Sequence, residues 1–231
     1  MSTEPIKITP DFVWPKPDDN GNRTLANGAV IGSSAVIGPY TVIKSDVVIK
    51  QRAIIGPNAV IGPNAVIGSS AVIEQYVSIE QYVSIGPNAV IAQGAVIGPN
   101  AVIGSSAVIG QYATIGQYVS IGPNAVIEHD ATIGQGARIE RHAVIEHDAT
   151  IGQGARIERH ARWIACVGFA DGYYKDLCAV GDVAYIGAGC RWFTLGAALR
   201  HWENHPEDRR ATMALMEGAK ALATLNNLKW E

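Results

Sequence analysis

Four histidines, His129, His142, His147 and His160, are the residues whose type and spacing could do chemistry in this chain. A neutral imidazole is both a metal ligand and a general base, and three of them suffice for a catalytic zinc. The spacing limits how they can act. His142 and His147 stand at opposite ends of one expected strand, about 15 Å apart at ~3.3 Å per residue. Within one chain they cannot share an ion. A zinc would have to sit between chains, where His129 and His147 of one copy meet His142 or His160 of another. Duplication offers a simpler account, because residues 125–142 (AVIEHDATIGQGARIERH) recur identically as 143–160 and carry the histidines with them. Corner histidines in solvent are therefore the leading expectation and a zinc cofactor the lesser one. His201 and His205, in HWENH, lack the glutamate position of a zinc-protease helix.

The elements that must position these side chains follow from one regularity. An isoleucine falls on every sixth residue from Ile31 to Ile157, twenty-two times without interruption. Helices repeat every 3.6 residues and simple strands every 2, so a fixed period of six marks a β-solenoid of short strands and tight corners. With isoleucine as position one, position two is mostly glycine. Positions three and four are a corner pair such as Pro-Asn, Ser-Ser, Gln-Tyr or Gln-Gly, and position five is Ala, Val or Thr. Side chains alternate along a strand, so positions five and one point inward while six and two point out. Proline presets φ at the corner, and Asn, Asp and Gly tolerate the left-handed region.

This unit, written AVIGPN or AVIGSS, resembles that of the left-handed parallel β-helix family of hexapeptide repeats, over roughly residues 23–172. Leu25 lies one step before the isoleucine run, and Trp163 and Phe169 continue its phase. The resemblance implies three units per triangular coil, an all-β solenoid of about eight coils, and a homotrimer. Internal repeats support the eighteen-residue coil: the 125–142 duplication is one coil long, and residues 59–94 recur with few changes as 95–130. The family includes acyltransferases that use acyl-CoA or acyl-carrier thioesters and γ-class carbonic anhydrases that bind zinc. The interval from His142 to His147 is similar to the His-x4-His of the latter. Here, however, the histidines fall at positions four and three, one step later than in that pattern, and no third histidine precedes them at the family's spacing. Enzymes of the family interrupt their coils with loops that build a substrate pocket. From Leu25 to Phe169 this chain has no insertion, which argues against turnover.

Stacking every third unit generates three faces. The first carries Val36, Ile54, Val72, Val90, Val108, Val126 and Val144 at the outward position six, ending at Arg162. Monomers rarely leave such an apolar strip wet, so it is the expected oligomer interface. The second carries Val30, Val48, Val66, Ser84, Val102, Ser120, Arg138 and Arg156. There Arg138, Glu140, Arg156 and Glu158 form a ladder of opposite charge. The third has Val42, Val60, Ser78, Val96, Thr114, Thr132 and Thr150.

Residues 1–22, with Phe12 and Trp14 as anchors, read as an N-terminal cap. Residues 173–231 read as a C-terminal β/α cap with strands turning at Asp171-Gly172 and Gly181-Asp182. A helix capped by Thr194 is expected over Leu195–Asn204, and a second opens at Pro206, Glu207 and Asp208. The 18 Lys and Arg against 21 Asp and Glu give a net charge of −3 with no basic patch, so no nucleic-acid partner is expected. No signal peptide or membrane span is read, and Cys166, Cys178 and Cys190 contain no CxxC, which suits a reduced cytoplasmic setting. The sequence is thus expected to specify a structural, self-assembling scaffold, its regularity pointing to design or repeat expansion. The alternative is a hexapeptide acyltransferase or zinc enzyme with sites between subunits.

Overall fold

A computed structural model describes residues 4–170, 173–188, 191–203 and 210–230. Two-residue strands recur every six residues from β3 (Val30–Ile31), β4 (Val36–Ile37) and β5 (Val42–Ile43) to β24 (Arg156–Ile157). Each pairs in parallel with the strand eighteen residues on, Val72 with Val90 and Ile73 with Ile91 for example. The result is a three-faced parallel β-solenoid. Two faces have eight parallel strands and the third seven, a little under eight coils. The interior is one continuous column of Ile at position one with Ala, Val or, at Thr41, threonine at position five, nearly all without solvent contact. No helix among the described residues is long and apolar enough to cross a membrane.

The corners explain the six-residue unit. Every position-four residue from Ser34 to His160 has a positive φ, between 56° and 62° for the nineteen that are not glycine. The left-handed region is therefore imposed by the coil, on tyrosine, arginine and histidine as much as on asparagine. The position-four N–H donates to the position-three carbonyl one coil back, as Ser106 N–H does to Pro87 O at 2.9 Å.

Position two shows why glycine recurs. A Cβ on Gly86 would lie 2.6 Å from Ser105 N in the next coil. Where position two is glycine, its N–H meets the next coil's isoleucine carbonyl at 2.6–2.8 Å; where it is Lys, Glu or Ala the distance is 2.8–3.0 Å. Glycine thus draws successive coils together at the edge it occupies.

The N-terminal segment reverses onto the first coil. β1 (Ile6–Lys7) pairs antiparallel with β5 on the third face, and β2 (Arg23–Thr24) with β3 on the second. Ile8 and Leu25 enter the core, and Phe12 and Trp14, edge to face with each other, pack against it. Buried Asn27 donates from Nδ2 to Ile43 O at 2.9 Å.

At the other end the rhythm stops sooner than the phase of Trp163 and Phe169 suggests. β25 (Arg162–Ala170) makes one parallel pairing, Arg162 with Val144, then pairs antiparallel with β26 (Tyr173–Val180). Its run of apolar residues lacks a corner pair, so the strand runs on without a turn, with register shifts between Trp163 and Ala165 and between Cys166 and Gly168, and leaves the solenoid. β27 (Val183–Ala188) and β28 (Arg191–Thr194) extend this meander around the turn at Gly181, where φ is +61°. Thr194 Oγ1 accepts the Ala197 N–H and caps α1 (Leu195–Glu203). α2 (Arg210–Leu225) buries Met216 and Ala219 with Met213 and Leu222 partly covered, while Leu225 stays exposed. The expected openings at Asp171-Gly172 and Pro206–Asp208 lie outside the described residues.

Candidate functional site: histidine corners and the aliphatic face

The coil sorts the four histidines into two separate pairs. His129 and His147 stack one coil apart with ring centroids 5.2 Å apart and planes 16° apart. His142 and His160 stack at 4.9 Å and 3°. The pairs occupy different corners, flanking β22 (Val144–Ile145), and all four left-handed or corner positions face solvent. His129 Nδ1 lies 2.9 Å from Asp130 Oδ2, and His147 Nδ1 lies 3.4 Å from Glu128 Oε2. Among the described residues no group of three or more His, Cys, Asp or Glu side chains is placed to hold a metal ion. As arranged within one chain, the histidines stack in two pairs, His129 and His147 each beside a carboxylate; they do not converge on a point.

The first face is continuous. Val36, Ile54, Val72, Val90, Val108, Val126 and Val144 form a single parallel ladder, exposed at Val36, Ile54 and Val108 and half-buried elsewhere. Arg162 ends it, with Nη1 2.8 Å from Glu146 Oε1. The second face holds the expected charge ladder. Arg138 Nε is 3.0 Å from Glu140, Arg156 Nη2 is 3.4 Å from the same carboxylate, and Arg156 Nε is 3.0 Å from Glu158. Pairs this exposed contribute at most about 1 kcal/mol each.

One polar device was not read in the sequence. Glu74, at position two, accepts the Gln93 N–H one coil on at 2.9 Å, and Glu128 accepts the His147 N–H at 3.1 Å. The position-three N–H makes no main-chain bond; proline deletes it at six corners, and at Gln93 and His147 a glutamate meets it. A Glu at position two, nineteen residues before a non-proline position three, is the signal that would have found it. Beside it Gln75, Gln93 and Tyr112 form a hydrogen-bonded row across three coils at 3.1 and 3.3 Å.

The bacterial transferase hexapeptide (six repeats) family matches this chain at residues 28–63, 43–75, 76–111 and 112–147. No curated protein sequence matches it. Among solved structures, LpxA, a UDP-N-acetylglucosamine acyltransferase from Bacteroides fragilis, is 20% identical with a TM-score of 0.41, covering 61% of this chain and 68% of its own. LpxA from Acinetobacter baumannii is 16% identical with a TM-score of 0.41, over 64% and 67% of the two chains. PerB from Caulobacter crescentus, solved with CoA and GDP-perosamine, is 19% identical with a TM-score of 0.37, over 50% and 53%. Because the family's matches run unbroken from residue 28 to 147, more than half of the 231 residues, the chain belongs to the bacterial transferase hexapeptide family.

Proposed function

We propose that this protein is a self-assembling β-helix scaffold whose first face packs against other copies, as the homotrimer that the family resemblance implies. The continuous column of Val and Ile at position six carries the reading, since seven branched side chains in register offer a flat apolar strip with no charge before Arg162. The coils from β3 to β24 also follow one another without a protruding loop. Val90→Lys with Val108→Lys places two cations in the strip. Light scattering is expected to report an assembly for the parent chain and a monomer for the double variant; an unchanged mass overturns the interface.

Acyl transfer at a site between subunits is the second reading, favoured by the family's transferase character and by the CoA bound to PerB. On that reading a histidine corner at the edge of the strip would serve as base to a neighbouring copy. A thermal shift with acetyl-CoA separates the two: the scaffold's midpoint stays where it is, and an acyltransferase's rises. Zinc bound between copies would appear as metal in elemental analysis and as a fall in midpoint with EDTA.

A further inference from the structure

The N-terminal cap covers two of the three faces. β1 closes the third face and β2 the second, but on the first face β4 is the last strand of its sheet, and among the described residues no strand pairs with its outer edge. The hydrogen-bonding record agrees. Ile8 N–H donates to Thr41 O at 2.8 Å, Asn27 Nδ2 to Ile43 O at 2.9 Å, and Leu25 N–H to Ala29 O at 2.8 Å. No such donor among the described residues reaches the carbonyls of Ala35 and Ile37.

Burial shows the same gap from inside. Of the inward residues of the first coil, Ala29, Ile31, Thr41 and Ile43 are at most 2% exposed, whereas Ala35 and Ile37 remain half-buried. A cleft of about 340 Å³ opens there, with Trp14 and Arg23 on its wall and Ala35, Val36 and Ile37 along its floor. It occupies the place where a cap strand of the first face would lie.

We propose that this slot takes an extended segment of another polypeptide by strand addition, with apolar side chains alternating inward over Ala35 and Ile37. The chain itself states the chemistry required. β5 presents the same Val-Ile dipeptide as β4, and it is covered by Ile6-Lys7-Ile8, in which Ile8 enters the core and the polar lysine alternates outward. An apolar–polar–apolar strand in antiparallel register supplies the missing donors and buries the half-exposed side chains. The Arg23 guanidinium on the wall, which donates from Nη1 to Pro15 O at 2.7 Å, has further N–H groups that favour a carboxylate on the incoming segment.

The test uses the full chain and a fluorescently labelled peptide, Glu-Pro-Ile-Lys-Ile-Thr-Pro, copied from residues 4–10. Saturable binding is expected by anisotropy, lost when the two isoleucine nitrogens are methylated and weakened at least tenfold by Val36→Lys, which sets a cation against the peptide's lysine. Absence of saturable binding, or binding that survives N-methylation, overturns the proposal. So does a concentration-dependent doubling of mass that Val36→Lys abolishes and Val90→Lys with Val108→Lys leaves in place, since a second copy, and not a different polypeptide, would then fill the slot. Val90→Lys with Val108→Lys leaves peptide binding intact, so failure of the scaffold reading and failure of this one are distinguishable.

Discussion

Replacing Ser105 by proline should stabilise the protein, whereas replacing Gln93 by proline should destabilise it, although both residues hold position three of the same unit. Ser105 lies between Pro87 and Pro123 in its corner column, each one coil away, and makes no main-chain bond through its N–H. The residue beneath it is Gly86, just as Gly68 lies beneath Pro87 and Gly104 beneath Pro123, so the pyrrolidine ring meets the surroundings it already fits twice. Nothing in the folded state is lost and the unfolded chain is restricted, a gain of about 0.4–1 kcal/mol. For a chain of this size that raises the midpoint by about 1–4 °C. Gln93 N–H instead donates to the Glu74 carboxylate at 2.9 Å, and its side chain links Gln75 to Tyr112. Losing a hydrogen bond to a charged group costs about 1.5–3 kcal/mol, so the net change is a loss of about 0.5–2.6 kcal/mol after the proline gain. Urea denaturation followed by circular dichroism measures both. If the two variants shift in the same direction, the division of position-three N–H groups into dispensable and bonded ones is wrong.

Other perturbations test separate parts of the reasoning. Tyr118, more than half exposed and held at φ 58°, should gain about 1 kcal/mol on Tyr118→Asn, because a left-handed conformation costs most residues about 1–2 kcal/mol; a fall in thermal midpoint would mean the ring packs usefully at the corner. Ile91→Ala, deep in the column, should cost about 2–5 kcal/mol in chemical denaturation. Lys229 Nζ lies 2.6 Å from Asp182 Oδ2, which holds the Asp182 carboxyl below its ordinary range and the Lys229 ammonium above its own. The aspartate's contribution is present above its unfolded value and lost as pH falls through the lowered one. The lysine's contribution is present below its unfolded value and lost as pH rises through the raised one. Lys229→Ala should therefore flatten the acid limb of a stability–pH profile at low salt, with no difference left in high salt.

The isoleucine period made the solenoid, its core and its three faces legible, because a narrow interior admits only one residue pattern and every coil repeats it. Position four was legible as a corner but not as a conformation: Asn and Gly suggested tolerance, and only the positive φ of Tyr82, Arg52 and His142 shows that the coil dictates it. The end of the solenoid is not legible from residue type alone: Phe169 keeps the phase, while no corner pair stands between Trp163 and Ala170 and β25 pairs antiparallel with β26. The histidines were visible individually, and their separation into two stacks follows from the eighteen-residue coil. The gap beside β4 was hidden, since nothing in residues 4–24 says which two faces their strands will choose.

The parallel ladder has a mechanical consequence. Eighteen residues are wound into each coil, yet a coil advances the axis by only one strand spacing, about 4.7–4.9 Å. Drawn straight, the same eighteen residues reach about 60 Å. Tension applied between the two ends would thus be relieved in equal increments of about 55 Å, one per coil freed. The molecule would behave as a counted reel, lengthening in uniform steps under a steady pull.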